Sequence, residues 1–481
     1  MQIFTFFRII FIITSIVSLS SILPIGVATY LGEYSVLPHF IIPMVFSLLL
    51  GGIFYFARRK KTVSLSTRGV FGIVCCAWLT ISLYGAIPLL IGGYTKSLTD
   101  AFFESASAFS TTGATIFNDV ESLPRSINLW RCEMHWLGGM GVIALTVALL
   151  PLLGVGGFQL IKAESTGPEK GKITPKMANT AKLLWIIYMS FTLIEAIILL
   201  FCGLDVIDSI CYAFSTLGTG GFATKNASVG SYGNAAVEIV CTVFMFLAGI
   251  NFSLYFYALT GKFDEIRKNS ELKAYVSIFA IVLAGLVIIL TPFYGSIASA
   301  LRYGSFQLAS ILTTTGFMTS DYTMWPSSAQ FLIFILFFMG GCSGSTGGGF
   351  KIVRWVVLSK QAKNEMMRML HPHGIFSIRL NGRAGRKDLV FAVASFTFVY
   401  IILTSVTTFF GTVNGLDLWT SFSAALSMIG NVGPAFGALG PTENYSLLAP
   451  ALKWWYCFAM IAGRLELYNL IIFFTRDFWK K

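Results

Sequence analysis

The sequence is poor in charge. Only 12% of its 481 residues are Asp, Glu, Lys or Arg, roughly half the share found in soluble domains. That excludes an ordinary water-soluble fold, and the mean hydropathy of +0.75 agrees. Histidine is scarce too: His39, His135, His371 and His373 lie too far apart in sequence to suggest a metal centre. The eight cysteines stand mostly within apolar runs, as at Cys75-Cys76, Cys202, Cys241 and Cys457. Neither a disulfide framework nor metal-ligand spacing results. No nucleophile–base pair stands in a supporting context and no nucleotide motif is present, so nothing points to an enzyme. What the chain has is apolar length, with 55% hydrophobic residues.

The apolar runs are long enough to cross a ~30 Å hydrocarbon core at about 1.5 Å per residue. Two spanning helices come first, near residues 3–30 and 39–56. The first has no small-residue cleavage site and reads as a membrane helix rather than a removed signal. A dense basic cluster, Arg58-Arg59-Lys60-Lys61, follows. Further basic loops carry Lys162, Lys170, Lys172, Lys176 and Lys182, then Lys262, Arg267, Lys268 and Lys273, then Arg379, Arg383, Arg386 and Lys387. The chain ends with Arg476, Lys480 and Lys481. Basic loops face the cytoplasm, and all five agree on one topology with both termini inside. The net charge of +12 is therefore matched to the anionic inner leaflet, and no nucleic acid is implied. The other side carries Asp100, Asp119, Glu121, Asp205, Asp208, Asp321, Asp417 and Glu443.

Between the basic loops a unit repeats four times. Each has a spanning helix, a short half-spanning helix, a glycine turn, a polar loop and a second spanning helix. The turns are Thr111-Thr112-Gly113, Thr219-Gly220-Gly221, Thr314-Thr315-Gly316 and Asn431-Val432-Gly433, recurring roughly every hundred residues. Each unit starts and ends on the cytoplasmic side, so the repeats are parallel and surround one axis. The expected fold is an all-α polytopic membrane protein of four helix–pore-helix–helix repeats around a central pore, preceded by two extra transmembrane helices. Its divisions are residues 1–61, 62–175, 176–268, 269–387 and 388–481.

A half-helix that stops within a membrane must end at a cavity or inside protein. Its last carbonyls place partial negative charge there, which favours a cation. Glycine gives the backbone dihedrals that let successive carbonyls face the axis, and neutral carbonyls can replace the hydration shell of a monovalent cation. The twelve turn residues are thus the candidate ion-binding set.

A second feature is Gly340-Gly341-Cys342-Ser343-Gly344-Ser345-Thr346-Gly347-Gly348-Gly349. Six glycines in ten residues, at about 1 kcal/mol each relative to alanine, interrupt the second helix of the third unit. The expected result is a flexible plug beneath the turns. A phosphate-binding loop needs Gly-Lys-Ser/Thr, whereas Phe350 precedes Lys351 and Ile352 follows. Arg464 lies inside the last apolar run, where an ionisable residue faces a cavity or a partner. It is expected to face the pathway below the turns, with a tie to carbonyls of the glycine-rich loop as the alternative. Glu104 could brace the first turn through backbone N–H groups; Glu195 could serve packing or an interface.

On these four turns, the interrupted helix and the two-helix extension, the chain resembles the Trk/Ktr/HKT superfamily of potassium transporters, most closely its bacterial TrkH/TrkG-type subunits. The resemblance covers nearly the whole sequence and places the filter glycines at Gly113, Gly221, Gly316 and Gly433. Gly218, Gly220 and Gly221 crowd the second position; Gly221 is preferred because Gly221-Phe222 aligns with Gly316-Phe317. The fourth turn departs most, with Asn431-Val432 in place of Thr-Thr and Pro434 following. The resemblance further implies potassium as the transported ion and an intramembrane gating loop at 340–349. It also implies residence in the bacterial inner membrane as a homodimer, and a cytosolic TrkA-type ring that binds ATP, ADP or NAD. A sodium-permeable or proton-coupled transporter of the same superfamily, or a secondary transporter of a small organic solute, is the alternative.

Overall fold

Apolar helices of spanning length organise the molecule. The computed structural model describes residues 2–57, 67–141, 177–374, 376–381, 383–384 and 387–480. The basic cluster at 58–61, the lysines from 162 to 176 and the continuation of the first repeat beyond residue 141 lie outside the described residues. Among those described, six helices are long and apolar enough to cross a membrane: Phe4–Leu31, Tyr34–Phe56, Phe71–Ile91, Lys182–Phe201, Ser270–Tyr294 and Leu389–Val413. The first two are the N-terminal extension. The other four are the first helices of the four repeats. Large apolar side chains such as Leu193, Ile281, Ile288 and Phe398 point outward from them, as expected of surfaces that face lipid.

Each first helix leads into a short helix that stops inside the protein. These pore helices are Leu98–Phe109, Val206–Gly218, Ile297–Leu312 and Leu418–Gly430. Ser97, Asp205 and Asp417 cap the first, second and fourth by accepting the N–H of Asp100, Asp208 and Thr420, which satisfies donors left over at a helix start. Their C-terminal halves are sealed: Ala101 to Phe109 and Ser423 to Gly430 are all buried. The pore helices therefore point their C-termini to the molecular centre. The fold is the expected one: a polytopic all-helical protein of four parallel helix–pore-helix–helix repeats, with, among the described residues, one two-stranded hairpin, Arg379–Leu380 against Arg383–Ala384, in the loop before the fourth.

The second helices differ from the expected unbroken spans. Only the third was expected to be interrupted, yet none of the described ones runs straight through. Arg125–Gly139, Ala235–Ala248, Ser327–Leu336 and Pro450–Arg464 have 15, 14, 10 and 15 residues, against the ~20 needed to span. In the second repeat the chain turns by 92° into Phe252–Leu259, and in the fourth by 117° into Tyr468–Phe474. The causes are local. Asn251 starts a new helix by capping the Ser253 N–H at 2.8 Å. Glu466 and Leu467 adopt φ of +62° and +50°, which a helix cannot accommodate.

Candidate functional site

The four glycine turns share one backbone. The residue two before each glycine is left-handed: Thr111, Thr219, Thr314 and Asn431 have φ of 57°, 52°, 60° and 55°. The glycines Gly113, Gly221, Gly316 and Gly433 follow at 81°, 84°, 82° and 97°. Three β-branched threonines at positive φ are true outliers, and strain of this kind persists only where its surroundings enforce it. The enforcement is visible. The N–H of Thr112, Gly220, Thr315 and Val432 each reaches back five residues, to the carbonyls of Ser107, Ser215, Ser310 and Ser427, at 2.8–2.9 Å. A serine occupies that place in every pore helix.

The turns close into a ring. A methyl group added to Gly113 would collide with the carbonyl oxygen of Gly220, one on Gly221 with that of Thr315, one on Gly316 with that of Val432, and one on Gly433 with that of Thr112. Each glycine thus abuts the carbonyl that precedes the next repeat's glycine, in the order one, two, three, four and back to one. The crowding at Gly218-Thr219-Gly220-Gly221 resolves here. Gly221 holds the ring position by both its φ and its neighbour, and Gly220 holds the position of Thr112, Thr315 and Val432. All twelve predicted turn residues come together in this ring. Asn431, the odd member, donates from Nδ2 to the Thr112 hydroxyl at 3.0 Å and to the Met460 carbonyl at 2.9 Å, tying the fourth repeat to the first.

The segments beyond the glycines are braced from outside. Glu104, fully buried in the first pore helix, accepts the N–H of Ile116 at 2.9 Å and the hydroxyl of Thr115 at 3.0 Å, the backbone bracing expected of it. Arg131 completes the brace and was not foreseen. Its guanidinium is 1% exposed and lies 2.8 Å from the Glu104 carboxylate. It also donates to Asn128 at 2.9 Å and to Thr115 at 3.2 Å, and stacks on Phe222 at 4.2 Å, beside the second glycine. A charged residue within a second helix was the available signal. Neutral hydrogen bonds link the other junctions: Gly230 N–H to the Met318 carbonyl at 3.1 Å, the Tyr322 hydroxyl to the Ala435 carbonyl at 2.7 Å, and Tyr445 N–H to the Thr115 carbonyl at 2.8 Å.

Most of the acids on this face are engaged in structure. Asp100 meets Lys453 at 2.7 Å, Glu121 meets Lys225 at 3.3 Å, and Arg125 pairs with both Asp205 and Asp208. Burial pushes the Asp205 carboxyl up, but the Asp208 N–H and the Arg125 guanidinium outweigh it and hold it below the ordinary range. The Thr420 hydroxyl and N–H do the same for Asp417.

Below the ring, the glycine-rich segment does not hang as a loose plug. Gly340 N–H bonds to the Phe350 carbonyl at 2.9 Å, Cys342 N–H to the Gly249 carbonyl at 2.8 Å, Ser345 N–H to the Cys342 carbonyl at 3.1 Å, and Phe252 N–H to the Gly344 carbonyl at 3.0 Å. The loop thus occupies the break in the second repeat's helix. Ser343 N–H goes to Glu271 at 2.7 Å, and Gly348 N–H to the hydroxyl of Thr314, in the third turn, at 2.7 Å. A side chain on Gly341 would meet the Ser345 hydroxyl and crowd Gly249, and side chains on Gly347 and Gly348 would strike Thr313 and Gly430, so close packing as well as unwinding favours glycine there. Gly344 and Gly349 have φ of 74° and 72°. The buried Lys351 donates back to the Gly347 carbonyl.

Arg464 takes the alternative partner set, a tie to carbonyls that include one of the glycine-rich loop. Its guanidinium donates to the carbonyl of Thr346 in this loop at 2.7 Å and to those of Gly138 and Gly139 in the first repeat, the latter at 2.9 Å. It therefore clasps loop and opposite helix together. Glu466 pairs with Arg354, not with Arg464. Glu195 is fully buried in the first helix of the second repeat.

A family model described as TrkH, cation transport protein, matches residues 37–294 and 272–481. The Trk system potassium uptake protein TrkH of Halomonas elongata is 36% identical over 455 residues, 92% of either chain. The Trk system potassium uptake protein TrkG of Escherichia coli is 35% identical over 473 residues, 96% of either chain. The crystal structure of the potassium transporter TrkH from Vibrio parahaemolyticus superposes with a TM-score of 0.88 at 32% identity, covering 100% of both chains.

Proposed function

This chain belongs to the TrkH family of cation transport proteins, and from that premise we propose that it carries potassium ions across the membrane through the ring formed by its four glycine turns. It is a transporter, not an enzyme. The observation that carries the reading is the closed ring, in which Gly113, Gly221, Gly316 and Gly433 each lie against the carbonyl preceding the next. Four pore helices aim their C-termini at it, so their partial charges favour a cation, and the backbone oxygens of residues 111–113, 219–221, 314–316 and 431–433 replace its water. Potassium is cargo here; no organic cofactor is assigned to this chain.

In this reading the loop at 340–349 is the gate and Arg464 its clasp. Its ties to Thr314, Gly249 and Arg464 hold it under the ring. Both termini and the loop at 379–387 lie, in this reading, in the cytoplasm of a bacterial inner-membrane protein, which their basic residues support. There a TrkA-type ring that binds ATP, ADP or NAD docks and governs the gate, and a second copy completes a homodimer. The working units are residues 1–61, 62–175, 176–268, 269–387 and 388–481. A sodium-permeable version is the second reading, favoured by the unlike fourth turn, Asn431-Val432. Rubidium flux into liposomes holding the purified chain, driven by opposed potassium and sodium gradients, tests both. Potassium-dependent flux that Gly316→Ser abolishes is the expected result; absence of rubidium and potassium flux overturns the proposal, and equal sodium flux selects the second reading.

A further inference from the structure

The glycine-rich loop is held by a residue that belongs to neither the ring nor the loop. Glu271, 7% exposed, is the second residue of the third repeat's first helix, Ser270–Tyr294. One of its carboxylate oxygens accepts the N–H of Ser343 at 2.7 Å and the N–H of Val353 at 3.1 Å. Ser343 lies near the start of the loop and Val353 just beyond its end. A single buried carboxylate thus ties the two legs together beside the Gly340–Lys351 bridge. Bonds of this charge-assisted kind are roughly twice as strong as neutral ones.

The residue before it faces the other way. The Ser270 N–H is one of the unpaired donors at a helix start, and it is capped from far along the chain. Asn381 Oδ1 accepts it at 2.8 Å, while the Asn381 N–H donates to the Ser270 hydroxyl at 3.3 Å. Asn381 follows the first strand of the hairpin at a φ of +52°. The hairpin is itself seated. Ile378 and Leu380 pack with Val357, on the helix that leaves the loop, and with Val393, on the fourth repeat's first helix. Lys360 donates to the Arg379 carbonyl at 2.6 Å. Displacing the hairpin therefore acts on the loop from two directions: through Asn381 and Ser270 on Glu271, and through Val357 and Lys360 on the helix Ile352–Leu370.

We propose that Asn381 and Glu271 are positioning residues that tether the loop, so that the seat of the Arg379–Ala384 hairpin sets whether the loop is held under the ring. The proposal rests on the loop being the gate. It goes beyond that reading by naming the contacts through which movement at the hairpin reaches it.

The test uses the full chain in liposomes with two readouts, amide exchange across residues 343–353 and rubidium efflux. Asn381→Ala and Glu271→Ala are expected to speed both by about threefold to tenfold, the size of one or two lost hydrogen bonds, with the potassium-to-sodium ratio unchanged. Glu271→Gln keeps an acceptor oxygen and is expected to restore most of the protection that Glu271→Ala loses. Where Glu271→Ala fails to fold, Asn381→Ala and Glu271→Gln still decide. Unchanged exchange in Asn381→Ala overturns the tether whatever the flux. Faster exchange without faster efflux leaves the tether standing, overturns the loop as gate and with it the transmission proposed here.

Discussion

At the ring the four repeats present one backbone; below it their second helices end in four different ways. The turns agree in φ to within a few tens of degrees at two positions and share a serine acceptor five residues back. The second helices end instead at Met140, at the Gly249–Asn251 break, at a ten-residue glycine-rich loop, and at Glu466-Leu467 with positive φ. An ion coordinated on an axis needs equivalent oxygens from all sides, so symmetry is demanded there. A gate needs one element that moves against others that stay, and four identical helix ends would offer no such contrast. In the proposed reading, selection is distributed over the repeats and control is concentrated in the third and fourth.

The largest effect expected at the ring is from Gly113→Ala. The new methyl meets the Gly220 carbonyl at a φ where an L-residue already costs about 1–2 kcal/mol. Rubidium flux should fall to the level of empty liposomes, and Gly221→Ala, Gly316→Ala and Gly433→Ala should match it. Gly93→Ala is the control. Gly93 has φ of +67° with nothing within 4 Å of the added carbon, so it carries the strain without the collision and should keep its flux. A ring in which one alanine variant conducts normally would break the claimed equivalence.

Next comes the brace. Arg131→Met leaves Glu104 buried without its cation, a change that typically costs about 3–5 kcal/mol. Tyr322→Phe removes one neutral bond at the junction between the third and fourth repeats, worth about 0.5–1.5 kcal/mol. Thermal unfolding in detergent should therefore rank Arg131→Met well below Tyr322→Phe. Equal losses would mean that the first junction is no more strongly held than the third.

Much of this architecture was legible in the sequence, for reasons tied to particular residues. Basic loops and apolar lengths determine membrane topology almost alone, so the first helices of the repeats fell where expected. The turns were legible because Thr-Thr-Gly recurs at one place in the unit. The breaks at Asn251 and Glu466 were not. Hydropathy is blind to them: Phe252–Leu259 and Tyr468–Phe474 are as apolar as the helices they leave, and only a backbone angle marks the change. Arg131 was passed over because a charge within an apolar run declares itself buried without naming its partner, which lies 27 residues earlier in another helix. The loop's tethers are hidden for a related reason. Glycine content measures what a segment can do when free, whereas Gly249, Thr314 and Glu271 supply the acceptors that fix this one.

A smaller effect tests the lower half of the comparison. Arg464→Leu removes donors from Thr346, Gly138 and Gly139 without touching a turn. Efflux should rise several-fold, about the effect of one or two bonds of 0.5–1.5 kcal/mol each, while the ratio of potassium to sodium permeability stays put. Reversal potentials in a bilayer measure the ratio and efflux measures the rate. A changed ratio would place Arg464 within the selecting machinery and erase the division drawn here.

The smallest expected effect comes from making the unlike turn alike. Asn431→Thr gives the fourth repeat the residue that the others carry at the same φ, so the backbone has no reason to change. The substitution removes the amide that reaches Thr112 and Met460, each bond being worth about 0.5–1.5 kcal/mol. Those bonds brace the ring from behind, because coordination in this reading comes from backbone oxygens, which the substitution leaves in place. Rubidium flux should therefore change by less than about threefold, with a modest loss of thermal stability. A tenfold swing in potassium-to-sodium permeability from this one change would show that the asparagine side chain itself tunes the ring. The four quarters would then be equivalent in shape but not in the ion they prefer.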